Sequence, residues 1–187
     1  MSTLATLLLG MALAAALFAL AQRYALGFSA QRSGDYIDLG PQIDIREHLN
    51  GPILCEGVIY GPTGRVTSRF VADFDARWDG NRGVMTEHFR YDSGSEQTRE
   101  WQLTLGNDGR IKAEAADLVG PGEGRQEGSA VHLAYSIRLP QSAGGHTLDV
   151  NDWMYLVDNG TIVNRSQFRK FGIKVAELVA TMRKKPA

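Results

Sequence analysis

Charged side chains set among apolar ones are the residues of this sequence that could do chemistry, because a charge on a dry face costs several kcal/mol unless it is paired or used. Two pairs of segments carry them. In 84–91 and 97–105, Glu87 and Arg99 stand among Met85, Phe89, Trp101 and Leu103. A three-residue turn centred on Gly94 sets Met85 opposite Leu103, Glu87 opposite Trp101, Phe89 opposite Arg99 and Tyr91 opposite Gln97. Glu87 and Arg99 are then diagonal neighbours on one face, roughly 7 Å apart. Two readings stand: an ion pair that locks the sheet, or two groups that orient a polar head at the bottom of a cavity lined by Trp101.

The second constellation is Asp152-Trp153-Met154-Tyr155-Leu156. Asp152 shares parity with Leu148, Val150 and Met154, and pairing through an Asn159-Gly160 turn sets it opposite Gln167 and diagonal to Arg165. Trp153 and Tyr155 fall on the other face, opposite Ser166 and Asn164. If that face lines a cavity, Trp153, Tyr155 and Asn164 are ligand contacts, since an aromatic wall with few polar groups suits an amphiphile. If it faces outward, they pack.

Other chemistries find little support. His48, His88, His132 and His146 do not recur at metal-ligand spacing, and His88 and His132 read as surface residues. No Ser sits in a nucleophile elbow, and Cys55 beside Glu56 has no evident base. Gly120-Pro121-Gly122-Glu123-Gly124 is followed by no helix that could offer phosphate its N-terminus. No metal or cofactor is implied. With Lys+Arg 20 against Asp+Glu 21 and a net charge of −1, nucleic acid is not an expected partner.

The elements that position these residues are strands. Beyond Leu49, short apolar or alternating runs are parted by Gly61-Pro62-Thr63-Gly64, Asp79-Gly80-Asn81, Asp92-Ser93-Gly94-Ser95, Gly106-Asn107-Asp108-Gly109 and Asp158-Asn159-Gly160. Such turns mark consecutive antiparallel hairpins. Val66, Phe70, Phe74 and Trp78 share one parity, and Thr67, Arg69, Asp73, Asp75 and Arg77 share the polar set. About nine strands with no internal helix cannot remain an open sheet. The fold class expected is all-β, an antiparallel up-and-down barrel, with a β-sandwich as the alternative. The segment 170–185 fits strand or helix, and as a strand it closes the barrel.

Residues 4–21 carry no charge and as a helix rise roughly 27 Å, near the hydrocarbon thickness. Ala19-Leu20-Ala21 has the form of a signal-peptidase site, but no Lys or Arg precedes it, so a retained transmembrane helix is favoured over a cleaved signal. The organisation expected is an anchor or signal segment over 1–24, a tether over 25–48 and the barrel domain over 49–187. The lone Cys55 allows no intrachain disulfide.

A wider pattern runs from about Ile45 to Arg183. Asn50-Gly51, Glu56-Gly57-Val58, Gly64-Arg65-Val66, Phe70, Trp78-Asp79-Gly80, Glu87 with Phe89-Arg90-Tyr91-Asp92, Arg99 with Trp101, Asp152-Trp153-Met154-Tyr155-Leu156, Asn164-Arg165-Ser166 and Lys170-Phe171-Gly172 resemble a bacterial domain-of-unknown-function family described as lipoproteins. The resemblance implies a lipocalin-like barrel, a bacterial inner-membrane location and, from the company such proteins keep with fatty-acid-modifying enzymes, a lipid partner. This chain departs from the lipoprotein pattern, since no Cys ends its apolar segment.

The function expected is binding of a hydrophobic or amphipathic ligand, a fatty acyl lipid among them, by Glu87, Arg99, Trp101, Asp152, Trp153, Tyr155, Asn164 and Arg165. The alternatives are an enzyme acting on a lipid or isoprenoid, with Glu87 and Asp152 as acid or base and Arg99 or Arg165 fixing charge, and a dry scaffold for a membrane-enzyme partner.

Overall fold

The computed structural model describes residues 2–186. Helix α1 (Thr3–Tyr24) begins at Ser2, whose hydroxyl accepts from the Ala5 N–H at 3.4 Å. Its stretch Thr3–Ala21 is long and apolar enough to cross a membrane. A second helix, α2 (Ile45–His48), is a single turn. The strands are β1 (Gly51–Tyr60), β2 (Val66–Asp79), β3 (Arg82–Tyr91), β4 (Glu96–Leu105), β5 (Arg110–Glu114), β6 (Gly122–Glu127), β7 (Ala130–Arg138), β8 (Thr147–Leu156), β9 (Ile162–Lys170) and β10 (Ile173–Lys184). Each pairs antiparallel with the next, and β10 pairs with β1 to close the barrel. Closure leaves no strand without a neighbour on either side, although β4 has no ladder to β5 over residues 96–101.

Alternation decides what points inward. On β2, Phe70, Ala72, Phe74 and Ala76 are buried while Val71, Asp73, Asp75 and Arg77 alternate with them on the outer face. On β4, Trp101, Leu103 and Leu105 do the same. Within the segment 170–185, Ile173–Lys184 is strand, and it closes the barrel.

Ten strands form where about nine were expected. The extra one is β6, inside the glycine-rich stretch read as a loop. Glycine gives no alternation to read and has low strand propensity. Yet Gly124 is needed there, because a Cβ on it would lie 2.1 Å from the His132 carbonyl oxygen and 2.5 Å from Leu133 Cδ2.

Two registers also differ from expectation. Tyr91 N–H donates to Ser95 O at 2.9 Å, so the β3–β4 loop is Asp92-Ser93-Gly94, with Gly94 last and at φ 82°. A left-handed glycine closes such a loop rather than centring it. The shift is two residues, which preserves the face and sets Glu87 directly opposite Arg99. At the β8–β9 turn, Val157 N–H donates to Thr161 O at 2.9 Å, so the loop is Asp158-Asn159-Gly160 rather than Asn159-Gly160 alone. That shift is one residue, and it turns every β9 side chain to the other face. Asp152 faces Ser166, Trp153 faces Arg165 and Tyr155 faces Val163.

Residues 28–48 do not stand free as a tether. They pass through two short 3-10 turns, Phe28–Ala30 and Ser33–Tyr36, and lie along the outside of β7, β8 and β9. The Tyr36 ring centre is 5.4 Å from those of Trp153 and Tyr155, and the Tyr155 hydroxyl donates to Gln31 Oε1 at 2.6 Å. Farther on, the Ile43 N–H donates to Gly128 O at 2.9 Å and the Ile45 N–H to Gln126 Oε1 at 3.1 Å. The α2 turn then closes one end of the barrel, with Ile45 and Leu49 buried in the core and the Trp78 indole N–H donating to Leu49 O at 2.7 Å. Only the turns at 61–65, 92–95, 115–121, 139–146 and 171–172 bound the opposite end.

Trp153 is 1% exposed although it lies outside the barrel, because Tyr36 and His132 cover it. Tyr36→Ala is therefore expected to lower stability by about 2 kcal/mol. A red shift of tryptophan emission in the folded state checks it, and an unchanged spectrum would mean that the segment does not hold Trp153 dry.

Candidate functional site

Midway along the barrel, polar side chains from several strands face one internal void. Glu87 comes from β3, Arg99 from β4, Tyr135 from β7, Asp152 from β8, and Asn164 and Ser166 from β9. The void measures about 120 Å³, and Phe70, Phe74, Met85, Leu103, Leu133 and Met154 are among its apolar walls. Each polar group arrives by strand parity alone, since it alternates with buried apolar neighbours on its own strand.

Arg99 does not pair with Glu87. Its Nε donates to Asp117 Oδ1 at 3.0 Å. Its guanidinium carbon lies 3.9 Å from the Trp101 ring centre and 5.7 Å from that of Tyr135, close enough for cation–π attraction. Its Nη2 is buried and has no hydrogen-bond partner among the described residues. Above Gln102 the β4 strand has no ladder to β5, and a lateral hollow opens there that Arg99 and Asp117 also line. The Arg99–Asp117 pair thus stands between that hollow and the interior.

Glu87 is buried, and burial pushes its carboxyl up to about 7 against the opposing pull of the Arg99 guanidinium and the Trp101 indole N–H. Near neutral pH it exists in both forms and can donate or accept a hydrogen bond. Asp152 is also pushed up by burial, which the hydrogen bonds from Ser166 and Asn164 and the charge of Arg99 oppose. Asn164 Nδ2 and Ser166 Oγ donate to Asp152 Oδ1 at 2.5 and 2.7 Å, and the Tyr135 hydroxyl approaches Oδ2 at 3.5 Å. Burial holds the Cys55 thiol well above its ordinary range, so it is an inert wall residue of the void.

Three residues named from the sequence lie elsewhere. Trp153, Tyr155 and Arg165 are on the outer face, under the N-terminal segment. Arg165 pairs with Glu177 on β10 and lies 4.7 Å from the Phe28 ring centre, not beside Asp152. His132, read as a surface residue, is half-buried; it stacks on Trp153 at 4.5 Å and meets Asn151 Oδ1 at 2.6 Å.

The family described as "Protein of unknown function (DUF3833)" matches residues 23–184. The chain belongs to this family. Among solved structures, the DUF3833 chain is similar to an S-type phycobiliprotein lyase, CPES, from Guillardia theta, with a TM-score of 0.55 and 10% identity over 76% of this chain and 92% of that one. It is also similar to Rv2717c from M. tuberculosis, with a TM-score of 0.56 and 16% identity over 80% of this chain and 100% of that one. At such identities the likeness is one of fold, a lipocalin-like barrel. Among curated sequences none matches the chain.

Within this DUF3833 barrel, the site contains residues that sequence reasoning passed over. Tyr135 shares parity with Val131 and Leu133 on β7, a signal that could have found it. Ser166 was lost to the β8–β9 register. Asp117 lies in the loop after β5, where no periodicity applies, and reaches Arg99 only because Leu118 bridges to Ile137.

Proposed function

We propose that this protein is a membrane-anchored binding protein for an amphipathic molecule, a fatty acyl lipid being the class that fits. The tail lies against Phe70, Phe74, Met85 and Met154, and the head meets Arg99, Glu87 and Asp152. Asn164 holds Asp152, and Trp101 holds the guanidinium. One observation carries this reading: a mostly apolar void inside the barrel into which a few convergent polar groups point, among them a buried guanidinium nitrogen without a partner among the described residues. At about 120 Å³ the void is below the roughly 300 Å³ of a drug-sized site, so it takes the head and only the first few carbons of one chain, with the rest of the tail outside it. The Thr3–Ala21 helix, crossing a bacterial inner membrane, would keep the barrel where such a ligand is concentrated.

The test is mass spectrometry of organic extracts from the full chain purified from its membrane in mild detergent. A stoichiometric amphiphile is expected, absent from a Leu133→Trp variant whose larger ring fills the void. Arg99→Leu is expected to weaken a carboxylated ligand by about ten- to a hundredfold, because a hydrogen bond to a charged group contributes about 1.5 to 3 kcal/mol. An empty wild-type barrel overturns binding and favours a packed scaffold.

Two buried carboxyls with raised pKa values facing one void also support a second reading, acid–base chemistry on the bound lipid. In that case the extract contains a product as well as the ligand, and Glu87→Gln retains the ligand and loses the product.

A further inference from the structure

The hairpin joining β9 and β10 ends in Lys170-Phe171-Gly172-Ile173, and its apolar residues face outward: Phe171 is 91% exposed and Ile173 70% exposed. Phe171 also holds φ 53°, a conformation an aromatic residue rarely adopts. The Lys170 ammonium lies 5.6 Å from the Phe171 ring centre and leaves most of that ring in the open. We infer that it docks into the lipid headgroup region beside α1 and turns this end of the barrel toward the bilayer.

Chain connectivity places the tip near the membrane. The apolar span ends at Ala21, and Ser29 Oγ accepts from Arg169 Nη2 at 2.9 Å, while Arg169 Nη1 donates to Gly172 O at 2.8 Å. Residues 22–28 therefore tie the membrane helix to the root of this hairpin, a link of roughly 28 Å even when fully extended. The same surface hollow is lined by Ala19 and Leu26 on one side and by Gly172 and Lys174 on the other. The opposite hairpin, at Asn159, lies a strand length farther off, about 30 Å for β9.

Charge selects the same end. Neither Arg169 nor Lys170 has a carboxylate within salt-bridge distance among the described residues; Lys170 Nζ meets His146 Nδ1 at 2.9 Å, and Asp149, across the ladder from Arg169, accepts instead from Ser136 at 2.8 Å. Lys174 shares the Glu177 carboxylate with Arg165. An exposed apolar tip flanked by two cations that no carboxylate neutralises among the described residues suits an anionic lipid surface. Another exposed apolar pair, Ile37 and Leu39 in the segment before the barrel, is flanked by Asp35 and Asp38, which such a surface repels.

The inference rests on the anchor in the proposed function and not on the ligand. To test it, the full chain carrying Phe171→Cys with Cys55→Ser is spin-labelled and reconstituted in vesicles of phosphatidylcholine and phosphatidylglycerol. Asn159→Cys in the same background is the comparison. Collision with oxygen relative to a water-soluble nickel chelate is expected to rise several-fold at Phe171 over Asn159, and Arg169→Gln with Lys170→Gln is expected to reverse much of the rise. A label at Phe171 as open to nickel as that at Asn159 overturns the docking, and a label shielded from both reagents overturns it in favour of a second protein copy. Flotation reports the anchor separately: a chain that floats with its Phe171 label in water loses the docking alone, and one that does not float loses both.

Discussion

Glu87→Gln is expected to stabilise the protein at pH 8 by about 3 kcal/mol, the reverse of what an ion pair would give. Glu87 is buried, and its carboxyl is pushed up to about 7 from an ordinary 4.5. Between those values the folded chain holds a proton that the unfolded chain has released. Stability therefore falls as pH rises from about 4.5 to 7 and is level above that window, a loss of about 3 kcal/mol. Gln matches the protonated acid in shape and hydrogen bonding and has no charge to bury. Arg99 is not stranded by the change, since Asp117 already pairs with it. The check is urea denaturation of the full chain in detergent micelles at pH 5.5 and 8, read at unchanged m. Asp152, also raised, leaves part of the slope in the variant, whereas Asp73 and Asp92, held down by the hydrogen bonds they accept from Lys185 and Arg69, act the opposite way only in acid. A variant less stable than wild type at pH 8 would mean that an ionised Glu87 supports the fold.

Which features were legible in the sequence follows from which signals are periodic. Phe70 and Phe74 alternate with charges, and that alternation, with glycine-bearing turns, was enough for a closed antiparallel barrel. Glu87 and Arg99 kept their shared face because the turn error was two residues, and the pleat repeats every two. Asn164 and Arg165 exchanged faces because the second error was one residue. Asn-Gly can close a loop of two or three residues, and Asn159 Oδ1 accepting from the Thr161 N–H at 3.0 Å goes with the longer one. Residues 28–48 have no strand or helix period, so nothing local marked Tyr36 as the cover of Trp153 or Ile45 as the plug of the barrel. Asp117 illustrates the same limit at the site itself, since a loop side chain is placed by where the chain returns.

Gly124→Ala is expected to cost at least about 3 kcal/mol and to empty the cavity. The added carbon would lie 2.1 Å from the backbone oxygen of His132, and a backbone atom cannot swing aside as a side chain can. To relieve the clash, β6 must move away from β7, where Gly124 pairs with Leu133. The ladders on either side of β6 are among the short ones of the barrel, so little holds the strand once that register is lost. Ile111, which Gly124 faces on β5, and Leu133 both line the void, and the opened seam would admit water to a cavity whose buried Glu87 and Asp152 depend on its absence. Denaturation and hydrogen exchange of the β6 amides check this, with Gly34→Ala, where an added carbon meets nothing within 4 Å, expected to change stability by no more than about 0.5 kcal/mol. If Gly124→Ala keeps both wild-type stability and slow exchange in β6, then close approach of β6 to β7 is not what excludes water from the site. The polar cluster would then have to hold its protons by some means other than the close packing of β6 on β7.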